Sequence, residues 1–202
     1  GSLATWVGVG NDGFVRTWYD QTGANDATQT TAANQPKIVN AGSLVTENGK
    51  PAIDGNGTQY LGHSTLELTT DFSILQVFSG VGFTEGAGSA GGNDYLRFNS
   101  TIRIDLDSNL YRSAVNRDNL QTLTIFNRNP SNSLDIRYNG ITAPSSPFSV
   151  VSGGWSTRSV LAYNGGLIRA TGKMQEIIFY NIDQSSNYPL IEANINDHYS
   201  IY

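Results

Sequence analysis

The sequence predicts an all-β fold, a sandwich or jelly roll in one domain, and three observations carry that expectation. Apolar residues recur with a period of two through most of the chain, and turn signals break it at short intervals. Helical spacing is confined to the C-terminal stretch. The 202 residues fit a single β-sandwich, a class that commonly stays undivided at this length.

Taken in order, Phe14 to Tyr19 reads as a strand of aromatic and β-branched residues. Pro36 to Val39 reads as a short extended arm. Leu44 to Glu47 and Lys50 to Ile53 flank Asn48-Gly49, the dipeptide that best tolerates the positive φ of a tight hairpin. Pro51 puts the second arm at an edge or before the first ladder bond. Phe72 to Phe78 is nearly all apolar, as a central strand covered on both faces should be. The glycine-rich run 86–92 reads as a flexible loop. Asp94 to Asn99, Thr101 to Asp107 and Leu110 to Ser113 read as successive short strands. Leu123 to Asn127 and Leu134 to Tyr138 follow, with a turn between them at 129–132, and Asn139-Gly140 is a further turn signal. Ser159 to Tyr163 and Leu167 to Ala170 flank Asn164-Gly165-Gly166 as another hairpin, and Lys173 to Tyr180 is a further strand. The end is helical: Ser185, Ser186 and Asn187 are N-cap candidates, and Pro189 suits a first turn. Leu190, Ile191, Ile195 and Tyr199 line up as an apolar stripe.

Composition narrows the functional classes. Cysteine is absent, which excludes thiol catalysis and a disulfide framework. That suits a cytosolic, phage-derived or bacterial extracellular chain. Charged residues make up only 14%, against about a quarter in an average domain. Neutral hydrogen-bonding side chains fill the gap, as expected of a surface that meets sugars. The net charge is −5 and the basic residues are scattered along the sequence, so no nucleic-acid footprint is expected. No apolar run approaches the roughly 18 residues of a membrane span. Gly1-Ser2 reads as an expression scar, and a secretion signal is expected to have stood upstream or been removed.

The stretch TWYDQTGANDATQ, followed by QPKIV and ENGKPAI, resembles the opening of bacterial and viral concanavalin A-like, or laminin-G-like, jelly rolls. It is also similar to the start of the arabinofuranosidase B catalytic domain. The ending, GKMQEIIFYNIDQSSNYPLIEANINDHYSIY, resembles that family's last strand and short helix. The resemblance covers both ends and roughly half the chain. It implies a concanavalin A-like jelly roll with a short C-terminal helix, of the kind found as glycan-binding modules on secreted enzymes and in phage structural proteins. The arabinofuranosidases carry a vicinal cysteine pair and an acidic nucleophile. This chain has no cysteine, and neither Glu85 nor Asp94 aligns with that nucleophile, so the resemblance implies the fold and puts hydrolase activity in doubt.

Several constellations could hold chemistry. Asp20, Asn25 and Asp26 could give calcium hard oxygens on a rim loop, as many laminin-G-like sandwiches do, although the spacing matches no EF-hand. The alternative is that Asp20 and Asp26 bond backbone N–H groups and brace the loop. Glycoside hydrolysis needs two acids about 5–10 Å apart. Asp105 and Asp107 would share a strand face about 7 Å apart, where a solvated surface pair is the competing reading. Glu176 sits in a strong strand, facing solvent or pairing with a base. Sugar rings stack on exposed aromatics. Trp155, placed by its glycines in a loop, is the first candidate, with Trp6, Tyr111 and Tyr163 beside it, whereas Trp18 belongs to the core. His63 and His198 are the only histidines; neither has a nucleophile-elbow context, and both read as surface residues. The glycine runs at 8–10 and 86–92 precede no helix, so they are not phosphate loops.

The function expected is a non-catalytic carbohydrate-binding or adhesion module of a secreted or phage virion protein. Its partner would be a glycan or cell-surface polysaccharide, its place extracellular or on a virion, with calcium on the rim. Two alternatives stand beside it: a virion assembly domain making homo-oligomeric contacts, and a glycosidase related to the arabinofuranosidases.

Overall fold

The computed structural model describes residues 1–23, 25–88, 93–106, 108–113, 115, 120–150 and 153–202. A short helix α1 (Leu3–Val7) precedes β1 (Gly13–Phe14), β2 (Thr17–Trp18) and β3 (Ala27–Thr28). Then come β4 (Lys37–Asn40), β5 (Ser43–Leu44), β6 (Thr46–Glu47), β7 (Lys50–Pro51), β8 (Ile53–Asn56) and β9 (Leu61–Leu68). The middle holds β10 (Phe72–Gly88), β11 (Asn93–Phe98), β12 (Ile102–Leu106), β13 (Asn109–Ser113), β14 (Thr122–Arg128) and β15 (Ser133–Tyr138). After β16 (Ile141–Thr142) and β17 (Phe148–Ser149), β18 (Trp155–Val160), β19 (Ala162–Tyr163), β20 (Ile168–Arg169) and β21 (Thr171–Tyr180) lead to the helix α2 (Tyr188–Tyr199).

All pairings are antiparallel, and the long strand β10 joins two layers into one curled sheet. Its first part pairs with β14 and β21, and its second with β11. Layer one contains β1, β4, β5, β8, β21, the start of β10, β14 and β15. Layer two runs β2, β3, β9, β18, the end of β10, β11, β12 and β13. The passage between them is made at Gly80, which lies opposite Gly172 in the register. Both have positive φ (136° and 146°), and a Cβ on either would come within 2.2 Å of a backbone oxygen. Only glycine lets the two backbones cross that closely.

The main core lies between the layers. Phe78, Phe126, Ile136 and Met174 of layer one meet Leu61, Leu96, Phe98, Ile104 and Trp155 of layer two. A second cluster explains why 72–78 is apolar on both faces. Leu75, Val77, Leu123 and Ile125 point outward from layer one and are covered by Tyr188, Ile195 and Tyr199 of α2. The helix stripe differs from the expected one. Leu190 is exposed, and the buried face is Tyr188, Glu192, Ile195 and Tyr199. Glu192 belongs there because Arg137 of β15 grips it with two bonds of 2.7 and 2.8 Å. An acid thus replaces an apolar residue in the stripe because its charge is paired.

Two other expectations are corrected. The strand at 14–19 is broken, because β1 pairs with β4 in layer one and β2 with β3 in layer two. The chain changes layer at Val15, whose N–H bonds Pro36 O instead of a ladder partner. The glycine-rich stretch is a loop only in part: Gly86, Ala87 and Gly88 finish β10, and 89–92 lie outside the described residues. The Asn48-Gly49 hairpin forms as expected, with φ of 48° and 75° joining β6 and β7.

Candidate functional site

The outer face of layer two carries an open cleft of about 670 Å³ walled by Thr28, Gln29, Tyr60, His63, Arg158 and Asn164. It sits where β3, β9 and β18 lie side by side. The Asn164-Gly165-Gly166 turn between β19 and β20 forms its rim. Gly166 has positive φ, and the Tyr60 ring packs so tightly on it that an added Cβ would lie 2.4 Å from the ring. Arg169 covers the same ring at 5.2 Å. Arg158 donates from Nη2 to Asn164 Oδ1, and its Nε has no partner among the described residues. His63 donates from Nδ1 to Ser64 O at 2.8 Å, which leaves Nε2 as a bare acceptor without a partner among the described residues. Burial holds its pKa below the ordinary histidine value, so the ring is neutral at neutral pH. Beside the cleft, Tyr163 packs against Tyr95 and Phe83, with ring centroids 5.7 and 5.6 Å away. It lies over Gly86, where a Cβ would come within 2.9 Å of its ring.

The predicted site residues scatter across the molecule. Trp155 is not in a loop. It opens β18, is 0% exposed, and stacks on Phe179 at 6.0 Å and 28°. A sugar has no face of it to reach. Tyr111 is also core, 8% exposed and edge-on to Phe148. Trp6 is 83% exposed but rides on α1, which packs on β4 and β5, away from the cleft. Tyr163 is the one predicted aromatic beside the cleft, and Trp18 packs against the core as expected.

The acidic loop folds as a brace. Asp20 accepts from Thr22 N at 2.8 Å, Thr22 Oγ1 at 2.8 Å and Asn25 N at 3.0 Å, and Asp26 Oδ1 accepts from Asp20 N at 2.9 Å. Asn25 turns its amide nitrogen to Ser64 O at 2.9 Å, tying the loop to β9. Three of the loop's four carboxylate oxygens thus already serve N–H and O–H donors, and among the described residues no three His, Asp or Glu side chains gather as a metal set. The brace takes up most of the carboxylate oxygens that calcium would need. Asp20→Ala should therefore cost about 1–2 kcal/mol through the orphaned loop donors, and added calcium should leave the melting temperature of the parent unchanged. A calcium-dependent rise in thermal melting, lost in the variant, would speak for a metal instead.

The candidate acids do not converge on the cleft either. Glu85 is 0% exposed and accepts from Thr84 Oγ1 at 2.5 Å. Asp94 accepts from Ser156 N and Oγ at 3.0 and 2.8 Å and is buried. Asp105 is buried beside the Tyr95 hydroxyl. Asp107 lies outside the described residues. Glu176 is half-buried next to Tyr199 on the opposite side of the molecule, where His198 packs edge-on to the same tyrosine. Among the described residues Asp26 is the only acid in the cleft wall. Tyr60, Arg158, Asn164 and Arg169 were missed by the sequence reading. The Asn164-Gly165-Gly166 signal was visible as a turn, but nothing local showed that its rim faces a strand 100 residues earlier.

No family model and no curated protein matches the chain. Among solved structures it is similar to a GH54 α-L-arabinofuranosidase soaked with a cyclic sulfate inhibitor, at 13% identity and TM-score 0.66, covering 93% of this chain and 52% of that one. It is similar to domain 4 of AbnA, a GH43 extracellular arabinanase from Geobacillus stearothermophilus, in complex with arabinotriose, at 14% identity and TM-score 0.55, covering 90% and 98%. It is also similar to a Trypanosoma rangeli sialidase in complex with sialic acid, at 10% identity and TM-score 0.58, covering 92% and 32%. The chain spans about half the length of the arabinofuranosidase. These likenesses show the fold, an all-β sandwich.

Proposed function

We propose that this domain is a non-catalytic carbohydrate-binding module that holds a glycan in the cleft on the outer face of layer two. The observation that carries this reading is the cleft's chemistry. Uncharged donors and acceptors from Gln29, Thr30, Ser64 and Asn164, with the Arg158 guanidinium, converge beside the Tyr60 ring, and Tyr163 precedes Asn164 at the rim. Sugars ask for that combination: planar hydrogen bonds around the hydroxyls and an aromatic face against the C–H side. Hydrolysis asks instead for two acids within about 10 Å of each other across the sugar. The cleft offers Asp26 alone, and its Oδ1 is already engaged by the Asp20 N–H. The reading needs no calcium, because three of the four carboxylate oxygens of the loop already accept bonds in the brace. The low charge and amide-rich surface support a place outside the cell, on a secreted enzyme or a virion.

The test is a glycan array followed by titration. Arg158→Met keeps the aliphatic stem and removes the donors, so it should lower glycan affinity by at least about tenfold while the fold melts as before. Unchanged affinity in the variant, or no glycan bound at millimolar concentration, would overturn the reading. Steady release of nitrophenol from an arabinofuranoside would replace it with a hydrolase.

A further inference from the structure

Three arginines stand in one row across the outer face of layer two. The register sets Arg97 of β11 opposite Arg103 of β12, and Arg103 opposite Arg112 of β13. Directly opposed residues share a face, with Cβ atoms about 4.5–5.5 Å apart. Their chain neighbours Leu96, Phe98, Ile102, Ile104 and Tyr111 point the other way, into the core. Like charges directly opposite each other weaken a sheet, and here three fall in succession on a protein whose net charge is −5.

Among the described residues no ion pair neutralises them. The ion pairs of the described residues, Lys37–Asp12, Arg137–Glu192 and Lys173–Glu47, all lie elsewhere. One carboxylate shares the face: Asp105, a row away, opposite Tyr95 and close to its hydroxyl. The guanidinium groups are held in place by uncharged contacts. Arg97 lies 4.9 Å over the Phe83 ring, and Arg103 Nε donates to Thr101 Oγ1 at 2.9 Å. Arg112 is exposed. Arg97 Nη2 also meets the Asn99 side-chain oxygen at 3.0 Å with that amide turned; among the described residues this still leaves most of the planar donors of Arg103 and Arg112 without a partner, in the geometry that suits a carboxylate or sulfate. The row adjoins the proposed sugar face, because Phe83 and Tyr95 also pack on Tyr163 at the cleft rim.

We propose that the Arg97–Arg103–Arg112 row is an anion subsite, and that the glycan taken by this module is acidic, bearing carboxylate or sulfate groups. This rests on the carbohydrate-binding reading above. The neutral part of the chain lies in the cleft and against the tyrosines, and an acidic group two or three sugars along reaches the row. The repulsion stored there is relieved when the anion arrives, so the free domain carries a strain that the complex does not.

Calorimetric titration tests this with five probes: an oligogalacturonate, a sulfated oligosaccharide, a neutral oligosaccharide of equal length, inorganic phosphate and a single-stranded oligonucleotide. The expected result is at least about tenfold tighter binding of one or both acidic sugars than of the neutral one, with a preference that fades as salt is raised. Arg103→Gln should bring acidic and neutral sugars to the same affinity, leave the neutral sugar bound as before, and melt no lower than the parent. Arg112→Gln, at the exposed end, gives the same reading should Arg103→Gln disturb the fold. If acidic and neutral sugars bind alike, the anion subsite is wrong and the module stands. If no sugar binds, both fall. Phosphate bound as tightly as the oligosaccharides, or an oligonucleotide bound more tightly, would overturn the acidic-glycan assignment.

Discussion

Stability should fall as the pH rises from about 4.5 to about 8 and then level off, and Glu85 should account for most of that fall. Its carboxyl is fully buried on β10, and desolvation pushes its pKa from 4.5 up to about 8, against a smaller opposing effect of the Thr84 hydroxyl. The Gln76 amide, with its nitrogen turned to Glu85, lies 3.0 Å from Oε2. Between the two values the folded protein keeps a proton that the unfolded chain has already lost. Raising the pH therefore favours unfolding across this window, and above the folded pKa both states are ionised and no further loss follows. The full span is worth on the order of 4 kcal/mol. Asp135, raised by burial, acts with the same sign from its ordinary value near 3.8 upward, which the comparison with Glu85→Gln cancels, and the others act elsewhere or with the other sign. Asp12 is held low by Lys37 and the Ala41 N–H, so its contribution is lost only in acid. His63, depressed by burial, adds stability as the pH climbs to its ordinary value near 6.5. The difference between parent and Glu85→Gln isolates the one group, since glutamine keeps the shape and cannot ionise. Urea unfolding at pH about 5, 7 and 9 should show a sloping profile for the parent and a flatter one for Glu85→Gln. Parallel profiles would mean that Glu85 is not the buried acid this structure makes it.

How far the sequence reached depended on whether a residue's surroundings were local. Asn48-Gly49 and the run 72–78 were legible because hairpin φ angles and two-faced burial are written in adjacent residues. The helix α2 was legible from Pro189 and its spacing, but its buried stripe was not. Glu192 takes an apolar position only because Arg137, 55 residues away, supplies the opposite charge. The Asp20 to Asp26 loop was read with two outcomes open, and the brace forms because both Asp20 oxygens and Asp26 Oδ1 find donors within the loop itself. The cleft lay beyond such reading. Tyr60, Arg158 and Asn164 come from three separate segments, and their meeting depends on β9 pairing with β18. The arginine row is the extreme case: Arg97, Arg103 and Arg112 look scattered along the chain, and only the register of two successive hairpins brings like charges face to face.

Trp155→Ala should destabilise the domain by about 3–5 kcal/mol, as for other large aromatics truncated in a packed core, and its effect on glycan binding should come only through unfolding. The glycines before Trp155 suggested an exposed loop ring. The structure turns them to another use. Gly154 sits where a Cβ would meet Leu68 O at 2.3 Å, so β18 can start hard against the end of β9, and Trp155 is carried inward as the first core residue of that strand. Its indole then stacks on Phe179 of β21 and bridges the two layers. One detail separates its size from its chemistry. The indole Nε1 has no hydrogen-bond partner among the described residues, and a buried unpaired donor costs about 1–3 kcal/mol. Trp155→Phe removes that cost and leaves a smaller void than alanine does, so the two effects oppose each other. The phenylalanine variant should unfold within about 1.5 kcal/mol of the parent, as size-tolerant core swaps do, while the alanine variant loses several times more. Both should bind glycan unchanged at temperatures where they are folded. A folded Trp155→Ala protein that melts like the parent and loses its sugar would return the residue to the binding surface and contradict the buried stack on Phe179.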